Sequence, residues 1–398
     1  MKADISYYLA MKLSKDSSVL ILSHFYKRTQ SGGGPPQEIR DFFLPKVKSI
    51  YYIEHPVPYA TDHRSSMTVY ENGAFKRQLF TPSLVGPQIV FYMLDPLITL
   101  YFLIRARVGF DLCVALDNLN TVSVLPFKKV GIIKKLVFYT IDYNPKRFEN
   151  KTLNSIYHFI DRLACYHSDK IWILSEKMIT ARKKNGVNPK KTAPSIDLPM
   201  GANLERIKIL PLSKIKRKQI VYAGYLLEKQ GVQLIIESMP KIISLVSDAK
   251  FVIIGQGEFE KPLKALVRKL KLERHVEFKG FIKTHEGVEK ILCQSAIGIA
   301  PYVTDSDSYT QYTDPGKPKL YLGCGLPVVI TDVPQVARVI SSKKAGVVID
   351  YSVKSAIKAL ITLFSNDRLY KEYRKNAIEL SKKYNTNSLI ANALDKTN

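Results

Sequence analysis

A chain of 398 residues has room for two domains at the usual ~100–200 residues each, and its 46% hydrophobic content excludes an intrinsically disordered protein. Lys and Arg outnumber Asp and Glu by 60 to 35, and the net charge of +25 favours polyanionic partners (phosphorylated ligands, anionic lipid or nucleic acid) without choosing among them. The four cysteines form no C-x-x-C pair and the seven histidines have no metal-ligand spacing, so buried reduced thiols in a cytoplasmic protein are expected, not a disulfide framework or a metal site.

Residues 1–17 lack a long apolar core, so no signal peptide is expected there. The first strand is predicted at 18–23, followed by a Gly/Pro stretch at 31–37 and a short helix at 38–44. A strand at 49–54 and a hairpin over 67–79, turning at Asn72-Gly73, come next. Residues 84–104 are largely apolar, but Gly86-Pro87 and Asp95-Pro96 interrupt them. A carboxylate at mid-membrane is costly, so the expectation is a helix that is buried or touches a bilayer surface, not a span. Strand 111–116, helix 120–127, strand 135–140, helix 154–165 and strand 170–175 complete a first α/β half.

At 210–218 the chain turns polar and basic, and the linker is placed there. The alternation then restarts, with strands at 219–223, 250–254, 276–279, 297–300 and 327–331. Helices at 232–245, 261–270, 286–294 and 317–324 lie between them, and 367–394 is helical and charged. This pattern predicts an α/β protein with domains at 1–212 and 213–398, the stretch 367–398 forming a terminal helical segment. Doubly wound sheets bind ligands at the carboxyl ends of their strands.

The segment from Asp314 to Ile330 holds the clearest chemistry. Gly316 precedes a short helix whose free N–H groups and positive dipole attract phosphate, and Lys317 and Lys319 add charge at that end. Asp314 is placed to accept hydrogen bonds from ribose hydroxyls. The competing reading is an ordinary turn with solvated lysines.

An ordered set of motifs surrounds this segment: Pro199-Met-Gly-Ala-Asn-Leu-Glu-Arg206, Tyr222-Ala-Gly-Tyr-Leu-Leu-Glu-Lys-Gln-Gly231, Ile253-Ile-Gly-Gln-Gly-Glu258, Val276-Glu-Phe-Lys-Gly280 and His285-Glu286. With 315–329 they resemble the C-terminal domain of GT-B glycosyltransferases, specifically the retaining GT4-like (group 1) family. The resemblance covers roughly half the chain and implies two Rossmann-like doubly wound domains facing a cleft, with a C-terminal helix that can cross back to the N-terminal domain. It implies a retaining, metal-independent sugar transfer from a nucleoside-diphosphate sugar, with no cofactor. Gly224, Gly255, Gly257, His285, Asp314, Gly316 and Lys319 become donor-binding candidates, and Lys229 and Lys317 the cations that stabilise the leaving diphosphate. Two departures stand out. Tyr225 and Gln230 occupy positions where such enzymes carry Arg and Lys, and Tyr312 and Leu320 occupy those of two glutamates. The ribose ligand must then come from elsewhere, with Asp305, Asp307 and Asp314 the acids at hand.

In the first half, Gly33 and Gly34 lie in the glycine-rich loop after strand one, where backbone N–H groups can approach donor phosphate or sugar. Asp142 falls at a strand end and is the candidate for orienting or deprotonating the acceptor hydroxyl; capping the next turn is the competing role. Lys146 and Arg147 follow a proline turn and suit an acceptor phosphate. A basic surface and the apolar 84–104 segment fit a glycan or lipid-linked acceptor, with peripheral attachment to the inner face of an anionic membrane. The alternatives are a sugar-nucleotide epimerase of the same fold and a basic nucleic-acid-binding protein. Against the second, no compact nucleic-acid motif is present, and no nucleic-acid partner is expected.

Overall fold

The computed structural model describes residues 13–26, 34–141, 143–303 and 314–397. The chain forms two compact units, one of Met1–Leu198 with Ile390–Asn398 and one of Pro199–Leu389.

In the first unit, β1 (Ser18–Phe25), α1 (Pro35–Phe43), β2 (Ser49–Pro56), β3 (Ser66–Glu71) and β4 (Ala74–Phe80) are followed by the long helix α2 (Gln88–Ala106). Then come β5 (Phe110–Leu116), α3 (Asn118–Lys129), β6 (Ile133–Thr140), α4 (Lys151–His167), β7 (Lys170–Ile173), α5 (Lys177–Lys184) and β8 (Ser195–Asp197). The sheet order is β4-β3-β2-β1-β5-β6-β7-β8. It is parallel from β2 to β8, and the β3–β4 hairpin adds an antiparallel edge. Both hairpin turn residues, Asn72 (φ 51°) and Gly73 (φ 81°), are left-handed, as a two-residue turn that matches strand twist requires. The order reverses direction between β1 and β5, which puts the topological switch point at the carboxyl ends of those two strands.

The second unit contains β9 (Lys216–Ala223), α6 (Val232–Leu245), β10 (Lys250–Ile254), α7 (Glu260–Lys269), β11 (Val276–Gly280), α8 (His285–Gln294) and β12 (Ser295–Ala300). It continues through α9 (Gly316–Gly323), β13 (Val328–Thr331), α10 (Val336–Ser342), β14 (Gly346–Ile349), α11 (Val353–Ser365) and α12 (Asp367–Ser381). All its strands are parallel, in the order β11-β10-β9-β12-β13-β14, with the switch point between β9 and β12. Helices cover both faces, so successive strand residues enter opposite cores. Ile220 and Tyr222 join the one containing α6 and α11, and Val221 and Ala223 the one containing α9 and α10. This is why the strands read as continuous apolar runs.

The units divide after Leu198, earlier than the linker at 210–218 suggests. Residues beyond Pro199 are tied to the second unit by long-range pairing: Ala202 N–H donates to Tyr384 O (2.8 Å), and the Arg206 guanidinium bonds both Glu289 carboxylate oxygens. The basic stretch read as a linker opens β9. Its Arg217 lies over the Tyr370 ring at 3.6 Å, with the charged head reaching Leu363 O and Asp367. A long cationic side chain that covers an apolar surface looks like solvent-exposed linker in composition. At the other end, α13 (Thr386–Thr397) returns to the first unit, where Thr397 accepts from Trp172 Nε1 (3.0 Å) and Lys135 Nζ (2.8 Å). All four cysteines are buried and free.

Candidate functional site

At the switch point of the second unit, β9 ends in Ala223 and the chain turns at Gly224 (φ +153°); β10 ends before Gly255 (φ +131°). The two loops stack backbone on backbone: Gly224 N–H donates to Ile254 O (2.9 Å) and Leu226 N–H to Gln256 O (2.9 Å). A Cβ at Gly255 would fall 1.9 Å from Gly224 O, and one at Gly257 2.2 Å from Leu226 O, so side chains are excluded at both positions by backbone. A Cβ at Gly224 would sit 3.0 Å from the Lys317 side chain, which marks how closely that lysine lies against the loop.

Lys317 is the second residue of α9. Its amine donates to Tyr222 OH (2.9 Å) and to Gln230 Oε1, and lies over the Tyr222 and Tyr302 rings at 4.6 and 5.3 Å. Among the described residues no carboxylate pairs with it. Desolvation lowers its pKa to about 7, with no described carboxylate to oppose it. Gln230 is therefore part of the lysine's cradle, on a short 3-10 turn (Glu228–Gln230) pinned where Lys229 O accepts from Val303 N–H (3.0 Å). The Lys229 side chain is half-buried on that turn.

Lys319, two residues on, is in the opposite state. It is 1% exposed and its amine is bonded to Asp314, whose same oxygen Oδ2 accepts from Met200 N–H (2.9 Å). Burial pulls the Lys319 amine down and the Asp314 carboxyl up, each opposed by the other's charge. These two donor-binding candidates are thus turned toward one another, and Asp314 also anchors the start of the second unit to α9. Gly316 opens α9 behind Pro315, which as the N-cap residue offers no side-chain acceptor to the free N–H groups. His285 opens α8, half-buried, behind the Thr284 cap. Leu320 packs against the core, an apolar role where the resemblance leads one to look for a glutamate.

Gly33, Asp142, Asp305, Asp307 and Tyr312 lie outside the described residues. Gly34 precedes α1 in extended backbone (φ −170°), with only ordinary contacts for an added Cβ, so neither space nor backbone demands glycine there. Lys146 is exposed and paired with Glu149 (2.9 Å). Arg147 is half-buried in a loop held by Asn154, and its charge opposes the burial-driven rise of the Tyr92 hydroxyl pKa.

Tyr92 leads to a cluster that sequence reasoning missed. At the switch point of the first unit, His24 lies between two carboxylates: Nδ1 is 2.6 Å from Asp117 Oδ2 and Nε2 2.9 Å from Asp95 Oδ2. The Tyr92 ring stands edge-on to it at 6.3 Å. Burial disfavours the imidazolium, but Asp117 and then Asp95 outweigh it, raising the pKa to about 10. Asp117 follows β5 in a left-handed conformation (φ 101°), unusual for a non-glycine residue, and caps α3 by accepting from Asn120 N–H. His55, beneath, bonds Ser65 and Thr99 Oγ1 (2.9 Å); burial lowers its pKa to about 4. His24 and Asp117 stand at strand ends and Asp95 lies within α2, three separate stretches, so no local pattern in the sequence signalled the cluster.

Residues 217–366 match the family model described as "Glycosyl transferases group 1". WcaL of Escherichia coli, named for colanic acid biosynthesis as a glycosyltransferase, is 23% identical over 251 residues, which is 61% of this chain and 59% of that protein's length. Less than two thirds of that relative is therefore spanned. Sucrose-phosphate synthase from Thermosynechococcus elongatus aligns in structure over 94% of this chain and 97% of its own, at TM-score 0.70 and 13% identity. Anabaena HepE, solved in complex with UDP and glucose, aligns over 96% and 100%, at TM-score 0.68 and 14% identity. The fold is GT-B. Neither the epimerase nor the nucleic-acid reading is favoured by these likenesses.

Proposed function

We propose that this chain, whose residues 217–366 carry the group 1 glycosyl transferase domain, moves a sugar from a nucleoside-diphosphate sugar to an acceptor hydroxyl with retention at the anomeric carbon. The observation that carries the reading is the Lys317 amine, cradled by Tyr222 and Gln230 at the start of α9 with no carboxylate on it among the described residues. An amine in that state gains most from an arriving phosphate, which restores the charge that desolvation disfavours. As the sugar–phosphate bond breaks, negative charge grows on the leaving diphosphate, and Lys317 with the α9 N–H groups offsets it. That supply of positive charge supports a metal-independent reaction, so nucleotide binding is expected to survive EDTA. Lys229 and His285 remain candidates for further donor contacts.

HepE holds UDP, which makes UDP the first nucleotide to test. WcaL is named for colanic acid biosynthesis, which supports a glycan acceptor. The acceptor is assigned to the first unit, where Asp117, its carboxylate 28% exposed and oriented by His24, can accept a hydrogen bond from a sugar hydroxyl. Asp142 remains a candidate base, and Arg147 the better placed of the two cations for an acceptor phosphate, since Lys146 is already paired. A lipid-linked acceptor at the cytoplasmic membrane face completes the reading. The test is isothermal titration of UDP and UDP-sugars into wild type and Lys317→Ala; equal affinities would remove Lys317 from the donor site and the reading with it.

A further inference from the structure

The long helix α2 is apolar on its outward as well as its inward face, and its one acid is turned inward. Its inward face holds Phe91, Asp95, Thr99, Phe102, Leu103 and Ala106. Its outward face presents Ile89, Met93, Leu97, Leu100, Tyr101 and Ile104, of which Met93 is 67% exposed and Leu97 and Ile104 60% each. Steps of four and three residues put these on one continuous stripe, and the 89%-exposed Val85 extends it beyond the helix start. An ordinary amphipathic helix turns its acids to water and its apolar stripe to the core. Here the one acidic residue, Asp95, points inward.

The inward polar groups explain why the stripe cannot turn in. Asp95 is held by His24, and Thr99 by His55, both within hydrogen-bond distance. Rotating α2 to hide Met93 and Leu97 would break both contacts and strand a buried carboxylate. The helix is locked with a long apolar surface outward, and a contiguous patch of this kind marks an interaction surface.

We propose that this outward face is a membrane-docking surface that lies along an anionic bilayer, its apolar stripe in the headgroup–acyl boundary. The inference deepens the lipid-linked-acceptor reading given above and rests on it for its purpose. The charge pattern selects lipid. Arg105 and Arg107 are exposed at the carboxyl end of the stripe, no acid is exposed along the helix, and the whole chain is +25. Tyr101, with the Arg105 guanidinium 5.9 Å from its ring, suits the interface where amphipathic rings and cations sit. Length and hydropathy alone would allow α2 to cross a membrane, but 33% of its apolar stretch is buried in the unit and Asp95 is clamped. A helix that gives one face to protein and one to lipid lies in the interface plane.

The full chain is floated with neutral phosphatidylcholine vesicles and with vesicles containing about 30% phosphatidylglycerol, at low and high salt. Wild type is expected with the anionic vesicles at low salt and largely released at high salt. Combined Met93→Asp, Leu97→Asp and Ile104→Asp is expected to weaken binding at least ~tenfold while leaving the circular dichroism spectrum and UDP affinity unchanged, because all three side chains already face water. Arg105→Glu with Arg107→Glu should remove the preference for anionic over neutral vesicles. Wild type failing to float on anionic vesicles at low salt overturns the proposal, as does a triple variant that floats like wild type. A dimer in gel filtration that the triple variant turns into a monomer, without vesicle binding, assigns the stripe to a second copy of the chain and overturns the lipid assignment. UDP binding is read separately, so loss of vesicle binding with UDP bound condemns only the docking surface, and the reverse condemns only the donor reading.

Discussion

The switch points of the two sheets share one topology and carry opposite electrostatics. In the first unit the cation already has anionic partners: His24 sits between Asp95 and Asp117, and the three fix one another's positions. In the second, among the described residues, the Lys317 amine has a hydroxyl and an amide as hydrogen-bond partners, while Lys319 beside it is paired with Asp314. A cation with anionic partners holds a geometry, and one without them awaits an anion. The sheet order says where a ligand can bind, and the charge balance says which kind.

The sharpest way to break this comparison is to exchange the fates of the two lysines. Lys319→Met leaves the Asp314 carboxylate buried and unpaired, and should lower unfolding stability by about 3–5 kcal/mol in urea titration, with much of the loss recovered when Asp314→Asn is added. Lys317→Ala should leave stability nearly unchanged, since it removes a desolvated amine, yet weaken UDP binding by about ten- to hundredfold in calorimetry, the range for a hydrogen bond to a charged group. If both variants unfold easily and bind UDP normally, the distinction between them is wrong.

A smaller effect follows from protonation. With a free-state pKa of about 7, Lys317 is mostly neutral at alkaline pH and must take up a proton when a diphosphate arrives. UDP affinity should therefore fall as pH rises above about 7, and calorimetry at about pH 8 in buffers of different ionisation enthalpy should report proton uptake, absent in Lys317→Ala.

The mildest test concerns the first unit. His24 is raised from 6.5 to about 10, so the folded state holds its proton more tightly; that stabilisation is complete below pH 6.5 and lost as pH climbs to about 10. His55 is lowered from 6.5 to about 4, so the unfolded state takes its proton first and stability falls as pH drops from 6.5 toward 4. Each group has a limiting slope of about 1.4 kcal/mol per pH unit. Lys317, lowered from 10.5 to about 7, acts with the opposite sign over the alkaline range, so the His24 contribution is read as the difference between wild type and His24→Gln, which should shrink between pH 6.5 and about 10 while the acid limb stays the same in urea titrations.

Much of the second unit was legible in advance because its information is local. Strands buried on both faces read as apolar runs, glycines that end β9 and β10 stand next to them in the chain, and Lys317 follows the residue that opens its helix. The first unit's site was not legible for the converse reason. His24, Asp95 and Asp117 lie far apart in sequence, each with an innocent local reading: a lone histidine at a strand end, an acid that makes a membrane span costly, and a helix cap. Asp95 was noticed for the cost of its charge in a membrane, while in the structure one of its carboxylate oxygens is held by an imidazole that no window of the sequence includes.

By itself, then, the sequence determined the alternation of strands and helices, the two-sheet architecture, and a helix start with lysines at 317 and 319, because periodicity, turn chemistry and helix polarity act between near neighbours. Only the tertiary structure decided that Lys319 neutralises Asp314, that the chain leaves the first unit after Leu198, and that α2 is locked with its apolar stripe outward. Those outcomes depend on which distant group satisfies a buried charge or backbone donor, and that is settled by packing.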